Sequence, residues 1–380
     1  MTTCTKVPLP ELLSFVVDNR GKTVPTAESG HILIATNCIK NEHLYPVFEK
    51  IRYLSDETYQ TWFRAHPEPG DVIFVNKGTP GRVCMVPDPV GFCIAQDMIA
   101  FRAKKSKLYN KYLLAVLRSP EMQAQIHNYN VGDVIPHFKK SFLGELLIPL
   151  PSMEIQREIG DIYFDLSDKI ALNTKINHHL EQMAQAIWTE RFGNREPNGI
   201  LGDIIELFDS RRVPLSGNQR ANMEKIYPYY GAASLMDYVD DYLFDGIYLL
   251  LGEDGTVIND LGFPVLQYVR GKFWVNNHAH ILQGRNGFTV ESLYTLLKQT
   301  NVASIVTGAV QLKINQANLK SLEVVIPSRE EIEAFNALIV PLFAKIRNNS
   351  NENLSLAKTR DTLLPRLMSG ELSVAGLAAK

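Results

Sequence analysis

The chain contains an internal repeat, and this repeat constrains its fold more than any other feature. One group of residues recurs 176 positions later with the same internal spacing. Such a repeat in a chain of 380 residues predicts a duplicated unit with two domains of ordinary size. The first copy contains Lys169-Ile170, Asn173, Asn177 and Leu180, and the second contains Lys345-Ile346, Asn349, Asn353 and Leu356.

Each copy lies in a segment with the periodicity of a long coiled-coil helix. Apolar residues alternate there at steps of four and three, which is the a/d pattern of a helix seam. Lys169 with Asn173, and Lys345 with Asn349, interrupt the two seams at equivalent positions. A buried Asn tolerates few alternative alignments, so we expect these positions to fix the register in which the two helices pair. The predicted seam residues are Ile155, Ile159, Ile162, Leu166, Ile176, Leu180, Met183 and Ile187, then Phe335, Leu338, Leu342, Leu356 and Leu363.

Pro341 lies inside the second predicted helix, whereas Asp165 occupies the equivalent position in the first. A proline ring removes one backbone donor and crowds the preceding turn. We therefore expect Pro341 to kink or divide the second helix.

The segments before the helices have the pattern of strand-rich α/β domains. Short apolar runs bounded by Gly and Pro turns are typical of strands, and they occur at 71–75, 82–86, 92–95, 98–102 and 146–150 around a helix at 109–126. Residues 200–327 repeat this plan with weaker identity. The sequence therefore predicts a mixed α/β fold with two similar domains, 1–150 and 199–327. Helical regions follow them at 151–192 and 328–372.

Composition and charge exclude several classes of protein. The net charge is -2 and the pI about 6.5, so the chain is not a basic nucleic-acid coat. Cys4, Cys38, Cys84 and Cys93 have neither zinc-site nor disulfide spacing, which favours reduced thiols. No apolar run is long enough to span a membrane, and no signal-peptide core is present. We therefore expect a cytoplasmic protein.

The sequence contains none of the common catalytic motifs. Gly21-Lys22-Thr23 imitates the end of a phosphate-binding loop, but Val16 stands where that loop requires Gly. The Asp/Glu-x-Lys element of metal-dependent nucleases and the Pro-Pro pair of amino-methyltransferases are both missing. His178-His179 point about 100° apart on a helix, which makes a poor metal pair. We therefore expect a binding protein with no catalytic residues and no metal site.

Two similar heads on a helical spacer suit a ligand with a regular pitch, such as DNA. A helix of about 35 residues extends roughly 50 Å, whereas one turn of B-DNA is roughly 34 Å. Because the heads differ in sequence, they would read different halves of an interrupted target. Arg and Lys suit phosphates and guanine, and Asn suits adenine, although each residue could equally be an ordinary surface residue. The candidates are Arg20, Lys22, Lys77, Thr79, Arg82, Lys104 and Lys105 in the first domain and Arg211, Arg212, Arg270, Lys272, Asn276 and Asn277 in the second.

Several short motifs together resemble the specificity subunit of a type I restriction-modification system. They are Ile148-Pro149-Leu150-Pro151 with Glu154-Ile155-Gln156, Asp168-Lys169-Ile170 with Asn173 and Asn177, Met183-Ala184-Gln185-Ala186, and Leu364-Pro365-Arg366-Leu367-Met368-Ser369-Gly370-Glu371. With the repeated layout, the resemblance covers nearly the whole chain.

The resemblance implies two target recognition domains joined by two conserved helices that pack as an antiparallel coiled coil. It implies that this subunit binds double-stranded DNA but performs no catalysis. Two methyltransferase subunits would dock on it and methylate adenine, and restriction subunits would translocate and cleave DNA. S-adenosylmethionine, ATP and magnesium would belong to those partners.

Three other hypotheses remain open on the sequence. The chain could serve a methyltransferase without a nuclease, or another defence complex. It could be a coiled-coil scaffold whose heads bind proteins. A free-standing enzyme of unfamiliar type is the third.

Overall fold

The computed structural model describes residues 5–19, 23–132, 135–308 and 310–372. These residues form two compact units. The first unit combines the residues up to 174 with those from 350 onwards, and the second unit consists of residues 175–349.

The first unit contains a mixed α/β domain. Its elements are β1 (Thr5–Pro8), β2 (Leu13–Val17), β3 (His31–Ile34), β4 (Arg52–Leu54), α1 (Asp56–Thr61), β5 (Val72–Val75), β6 (Val83–Met85), β7 (Cys93–Ile94), β8 (Met98–Ala103), α2 (Asn110–Arg118), α3 (Pro120–Asn128), β9 (Asn130–Val131), β10 (His137–Phe138) and β11 (Leu147–Leu150). A four-stranded sheet has the order β2-β8-β5-β6, and a three-stranded sheet has the order β4-β3-β7. β1 pairs antiparallel with β11, so the two ends of the domain lie side by side.

The core of this domain lies between the four-stranded sheet and α2. Every residue of β5 is buried, as expected for a strand covered on both faces. The predicted helix over 109–126 is in fact two helices. Ser119 caps α3 by accepting a hydrogen bond from the backbone N–H of Met122, and Pro120 occupies the first helical turn. A serine cap followed by proline begins a new helix, which the apolar periodicity alone did not reveal.

The chain continues through a long helix into a second mixed α/β domain. The elements are α4 (Met153–Phe192), β12 (Gly199–Ile200), β13 (Ile205–Leu207), α5 (Gly217–Ala221), β14 (Tyr227–Tyr230), β15 (Leu235–Val239), β16 (Phe244–Gly252), β17 (Leu266–Val275), β18 (Ala279–Gly284), α6 (Val290–Leu297), α7 (Gln316–Lys320), β19 (Glu323–Val324) and the long helix α8 (Arg329–Met368). A six-stranded sheet has the order β13-β18-β16-β17-β14-β15. β12 pairs antiparallel with β19, just as β1 pairs with β11.

A pair of glycines interrupts the regular geometry of the β16–β17 hairpin. Gly246 and Gly271 are direct partners in the ladder, and their φ angles are +137° and +74°. Residues with side chains rarely adopt such angles, so this position requires glycine. Phe244 and Phe273, which are partners just beyond the glycines, stack with ring centroids 5.4 Å apart in a buried cluster.

α4 and α8 each contribute to both units. Ile159 and Tyr163 of α4 lie in the core of the first unit. Trp188 of α4 and Phe335 of α8 lie in the core of the second, with ring centroids 5.2 Å apart. Each half of each helix is therefore covered by a domain as well as by the other helix.

This double contact shifts the buried stripe of both helices from its predicted position. Ile155 and Met183 were expected in the seam, but they are 44% and 50% exposed. The neighbouring residues Gln156 and Ala184 are buried instead, and in α8 Ile339 is buried in place of Leu338. The buried stripe is displaced by about one residue toward the C-terminus of each helix, because the buried face packs against both the domain core and the other helix. Lys169 and Lys345, expected to interrupt the seam, are exposed.

Pro341 does not divide the second helix, so that prediction is wrong. α8 is helical from Arg329 to Met368 without a break. Pro341 is exposed, as is Ala337, whose carbonyl group loses its helical donor at this position. Water can solvate that carbonyl, which is why the helix continues.

Candidate nucleic-acid interface

In the first domain, three loop segments meet at the end of the central strand β5. They are residues 76–82, 95–97 and 135–138, which we call the first junction. The backbone N–H of Asn76 donates to the carbonyl oxygen of Asp97 at 3.0 Å. The N–H of Gly78 donates to the oxygen of Pro136 at 2.9 Å, and that of Phe138 donates to the oxygen of Asn76 at 2.8 Å. These hydrogen bonds hold the three segments in one fixed arrangement.

The second domain has the same arrangement at the end of β16. Residues 253–257, 276–278 and 311–314 meet there, and we call them the second junction. The N–H of Glu253 donates to the oxygen of His278 at 2.8 Å, that of Gly255 to Leu312 at 2.9 Å, and that of Ile314 to Glu253 at 2.8 Å. The two junctions therefore share a backbone hydrogen-bond pattern, although few of their side chains match.

A glycine at the same place in each junction makes this turn possible. Gly78 and Gly255 have φ angles of +85° and +86°. These angles lie in the left-handed region, which glycine adopts without steric cost. In the first domain α3 also supports the loop, because Gln123 Nε2 donates to the carbonyl oxygen of Gly81 at 2.9 Å.

The first junction combines an exposed and a half-buried cation with buried polar groups. Lys77 is exposed, whereas Thr79 and Arg82 are half-buried. The side chain of Asn76 is 1% exposed, and its Oδ1 accepts no hydrogen bond from any residue that the structure describes. Within the same described ranges, three further buried polar atoms of this junction have no partner. They are Thr79 Oγ1, Gln96 Oε1 and His137 Nδ1.

In the second junction, one asparagine is structural and the other is accessible. Asn276 is buried, its Oδ1 accepts from the N–H of His278 at 2.8 Å, and its Nδ2 lies 3.3 Å from Met236 Sδ. Asn277 is exposed. His278 Nδ1 is paired with Asp254 Oδ1. The accessible polar side chains here are the exposed Thr256, Asn277, Gln311 and Lys313 and the half-buried pair Asp254 and His278.

A buried ionic network supports the second junction from below. His280 Nε2 contacts the carbonyl oxygen of Ile314 at 2.7 Å, so this nitrogen must carry a proton. His280 Nδ1 contacts Asp209 Oδ2 at 2.6 Å, and the N–H of Ile281 donates to Asp209 Oδ1 at 2.9 Å. Burial disfavours ionisation of Asp209, but the hydrogen bond and charge of His280 outweigh it and lower the pKa of this carboxyl group.

Asp209, Glu253 and His280 also have the composition of a metal-ligand set, with donor atoms within 4.8 Å of one another. Arg212, however, already neutralises these carboxylates. Its Nη1 contacts Glu253 Oε2 at 2.5 Å and donates to the carbonyl oxygen of Ala279 at 2.8 Å. We therefore assign the cluster a structural role, and Arg212, predicted as a DNA contact, belongs to this network.

In each unit, α4 and α8 pair antiparallel through asparagines. In the first unit Asn173 Nδ2 donates to Asn353 Oδ1 at 2.9 Å and to Glu352 Oε2 at 2.8 Å. In the second unit Asn349 Nδ2 donates to Asn177 Oδ1 at 2.8 Å. Asn173 and Asn349 are each 1% exposed. The contacts are equivalent under the 176-residue repeat, because Asn173 and Asn353 correspond to Asn349 and Asn177.

The family model for the type I restriction modification DNA specificity domain matches the chain twice, at residues 23–182 and 198–356. The chain belongs to this family. The sequence-based resemblance is thus confirmed, as is the fold of two α/β domains joined by helices.

Relatives and solved structures agree with this assignment. The MjaIX specificity subunit of Methanocaldococcus jannaschii is 26% identical over 309 residues, which are 71% of this chain and 71% of that protein. A putative type I specificity subunit of Haemophilus influenzae, S.HindORF215P, is 31% identical over 127 residues, 33% of this chain and 32% of that protein. The crystal structure of the type I S subunit from M. genitalium has the same fold, with a TM-score of 0.52, 18% identity and 97% coverage of both chains.

Other predicted DNA contacts of this specificity chain lie outside the junctions. Lys104 and Lys105 are exposed just after β8. Arg270 and Lys272 flank Gly271, and Lys272 Nζ lies 4.4 Å from the ring centroid of Tyr242. Arg211 donates to the carbonyl oxygen of Leu243 at 2.8 Å. Arg20 and Lys22 lie outside the described residues.

Asp254, His137 and Lys313 were not among the predicted contacts, because cations and asparagines in turns were singled out without reference to equivalent positions in the two domains. The signal that could have identified them is a second short repeat. Gly132 and Gly308 each lie five residues before one of these side chains and have φ angles of +94° and +91°. None of the helices among the described residues is both long and apolar enough to cross a lipid bilayer.

Proposed function

We propose that each α/β domain of this specificity chain reads one half of an asymmetric, interrupted DNA target. The observation that carries the proposal is the duplication, with two copies of one domain that share a backbone framework and differ in their polar side chains. Two different readers in one chain require two different half-sites. The target is therefore asymmetric, in contrast to the palindromes that symmetric dimers bind.

Exposed cations would supply the phosphate contacts. Lys104 and Lys105 in the first domain and Lys272 in the second are exposed and suited to this role. The accessible side chains of the two junctions, together with Arg82 and Arg270, would then approach base edges. Asn276 and Arg212 are committed to contacts within the chain, so we exclude them from the proposed surface.

The paired helices would set the gap between the two half-sites and dock the partner subunits. Two methyltransferase subunits would supply S-adenosylmethionine, and restriction subunits would supply ATP and magnesium chemistry. The net charge of -2 fits this division of labour, because partners that enclose the DNA can make most of the phosphate contacts. Nanomolar binding of the target by the isolated chain, with a steep salt dependence, would contradict it.

An exchange of one domain tests the proposal. Residues 200–327 are replaced by the equivalent domain of a relative, and the methylated sites of a host that carries the chain with its methyltransferase partner are mapped. We expect one half of the target to change while the other half and the gap stay constant. A change in both halves would show that the domains do not read independently. Absence of any sequence selection would favour a protein-binding scaffold.

A further inference from the structure

The two junctions place four pairs of side chains at equivalent backbone positions. The shared hydrogen bonds align Asn76 with Glu253, Asp97 with His278, and Phe138 with Ile314. From these fixed points, Lys77 matches Asp254, Gln96 matches Asn277, and His137 matches Lys313. The isolated bridges Lys77–His137 and Asp254–Lys313 confirm this alignment, because each joins the same two positions.

We infer that these four positions select the bases of the two half-sites. The inference rests on the proposed function and deepens it, because it names the side chains that read DNA in each domain. The positions are Lys77, Gln96, Asp97 and His137 in the first junction and Asp254, Asn277, His278 and Lys313 in the second.

The chemistry of the four pairs supports a reading role. At two of the four positions, a hydrogen-bond donor in one junction corresponds to an acceptor in the other. These positions are Lys77 with Asp254 and Asp97 with His278. Lys77 can only donate, whereas an ionised Asp254 can only accept. In the major groove, a lysine suits the O6 and N7 acceptors of guanine, and a carboxylate suits the N4 amino group of cytosine. The same frame would therefore select different bases in the two half-sites.

The third pair, Gln96 and Asn277, keeps its character. Both side chains are amides, which donate and accept and suit the N6 and N7 edge of adenine. Asn277 is exposed, and Gln96 is half-buried. We therefore expect each half-site to prefer adenine at one position. Gln96 would reach a base further from the backbone than Asn277 does, because its side chain is one methylene longer.

Unused hydrogen-bonding capacity in the first junction is the second, independent observation. Asn76 is almost fully buried, and its Oδ1 has no partner among the residues that the structure describes. A buried acceptor without a partner is costly, and native proteins contain few of them. At the equivalent position of the second junction, Glu253 is satisfied by Arg212 at 2.5 Å. Gln96 Oε1 and His137 Nδ1, at two of the proposed reading positions, also lack a partner among the described residues, so contacts within the described chain leave their hydrogen-bonding capacity unused.

The experiment uses the full chain co-purified with its methyltransferase partner. The complex selects from a pool of duplexes in which both half-sites are randomised, and the selected sequences are read for wild type and for K77A, Q96A and D254A. We expect K77A and Q96A to relax selection roughly tenfold to hundredfold at one base position each, in one half-site only. D254A should act in the other half-site only.

Two matched controls separate reading from general attraction. K104A and K105A remove exposed cations outside the junction, so they should weaken binding to all sequences alike and flatten the salt dependence. The conservative variants K77R and Q96N keep donors at the same positions and guard against a loss of folding. They should shift or retain base preference rather than abolish binding.

The outcomes are distinct. If wild type selects two half-sites but all junction variants keep the same base preferences, this inference is overturned and the proposed function stands. If wild type selects no sequence at all, the proposed function itself fails. If a junction variant alters both half-sites together, the side chains act on the fold of the chain and the inference also fails.

Discussion

Asn173 and Asn349 are the polar residues on which the pairing of the two long helices depends. Each is buried and donates to an asparagine of the opposite helix, and Asn353 and Asn177 in turn approach the carbonyl oxygens of Ile170 and Ile346 at 3.5 Å. A shift of one helix along the other would leave these amides without partners in an apolar contact. Such unsatisfied groups cost more than the hydrogen bonds contribute, so they specify one register.

Asn173→Ala and Asn349→Ala should therefore each lower the free energy of unfolding by about 1–3 kcal/mol. The measurement is urea denaturation followed by circular dichroism. Leu172→Ala, at an exposed neighbouring position of the same helix, is the matched control and should change stability by less than about 0.5 kcal/mol. Equal effects of Asn173→Ala and Leu172→Ala would show that the buried amide does not specify the pairing.

Asp209 gives the second domain a defined response to acid. Its folded-state pKa lies below the ordinary value, despite burial, because of the hydrogen bond and charge of His280. A depressed pKa contributes stability above the unfolded-state value of about 3.9, and this contribution is lost as pH falls through the folded-state pKa.

We expect Asp209→Asn to be less stable than wild type at pH 7 and to approach wild-type stability as pH falls below about 4. The experiment compares urea unfolding of the two proteins between pH 3 and pH 7. A constant difference across this range would mean that Asp209 does not titrate with folding. Asp203→Asn, at a residue outside the network, is the control and should follow the wild-type pH dependence.

At the level of single residues, the sequence identified the buried asparagines of the helices more successfully than the surface of the domains. Asn173 could be recognised because it recurs in a periodic pattern. Arg212 and Asn276 are residue types that commonly contact DNA, but partners 40 or more residues away in the chain engage them. A single sequence does not show which cation has an acidic partner in the fold.

Among the secondary-structure elements, α8 shows how solvent exposure moderates a local rule. The helix passes through Pro341 because this residue and Ala337 both face water. Periodicity gave the existence and approximate length of both long helices. It could not give the shift of their buried stripe, because that shift arises from the domain cores packed against Ile159 and Trp188. Strands that are buried throughout, such as β5, were also recognisable from their apolar runs.

Pro341→Ala should raise the free energy of unfolding by about 1–3 kcal/mol. The substitution restores a backbone donor to the carbonyl of Ala337 and removes the steric conflict of the ring. Thermal unfolding would measure the gain. Asp165→Ala, at the equivalent exposed position of α4, is the control and should remain within about 0.5 kcal/mol of wild type. A lower melting temperature for Pro341→Ala would indicate that the proline has a favourable role in α8.

At the scale of the whole molecule, the equivalent asparagine contacts of the two repeats suggest how the spacer can be altered. Asn177 lies four positions after Asn173 in α4, and Asn353 lies four positions after Asn349 in α8. The pair Asn173–Asn353 lies at one end of these two four-residue intervals, and the pair Asn177–Asn349 lies at the other end. Equal insertions in both intervals therefore preserve both pairs, whereas an insertion in one helix only breaks one of them.

Insertion of four residues after Asn173 and of four after Asn349 should lengthen the tolerated gap by roughly two base pairs. Four helical residues add about 6 Å, and each base pair of B-DNA adds roughly 3.4 Å. Methylome sequencing would report the new gap, and both half-sites should be unchanged. The single insertion after Asn173 is the control and should destabilise the protein. An unchanged gap with the double insertion would contradict the proposal that the paired helices set the distance between the half-sites.

The ladders β1–β11 and β12–β19 have an evolutionary consequence. Each brings the entry and exit of a domain together, at Thr5 beside Leu150 and at Ile200 beside Glu323. A gene segment that encodes the domain between two such paired strands can therefore be replaced by a related segment without altering α4 or α8. Recombination between related loci would then generate new target sequences in a single event, while the two long helices are inherited unchanged.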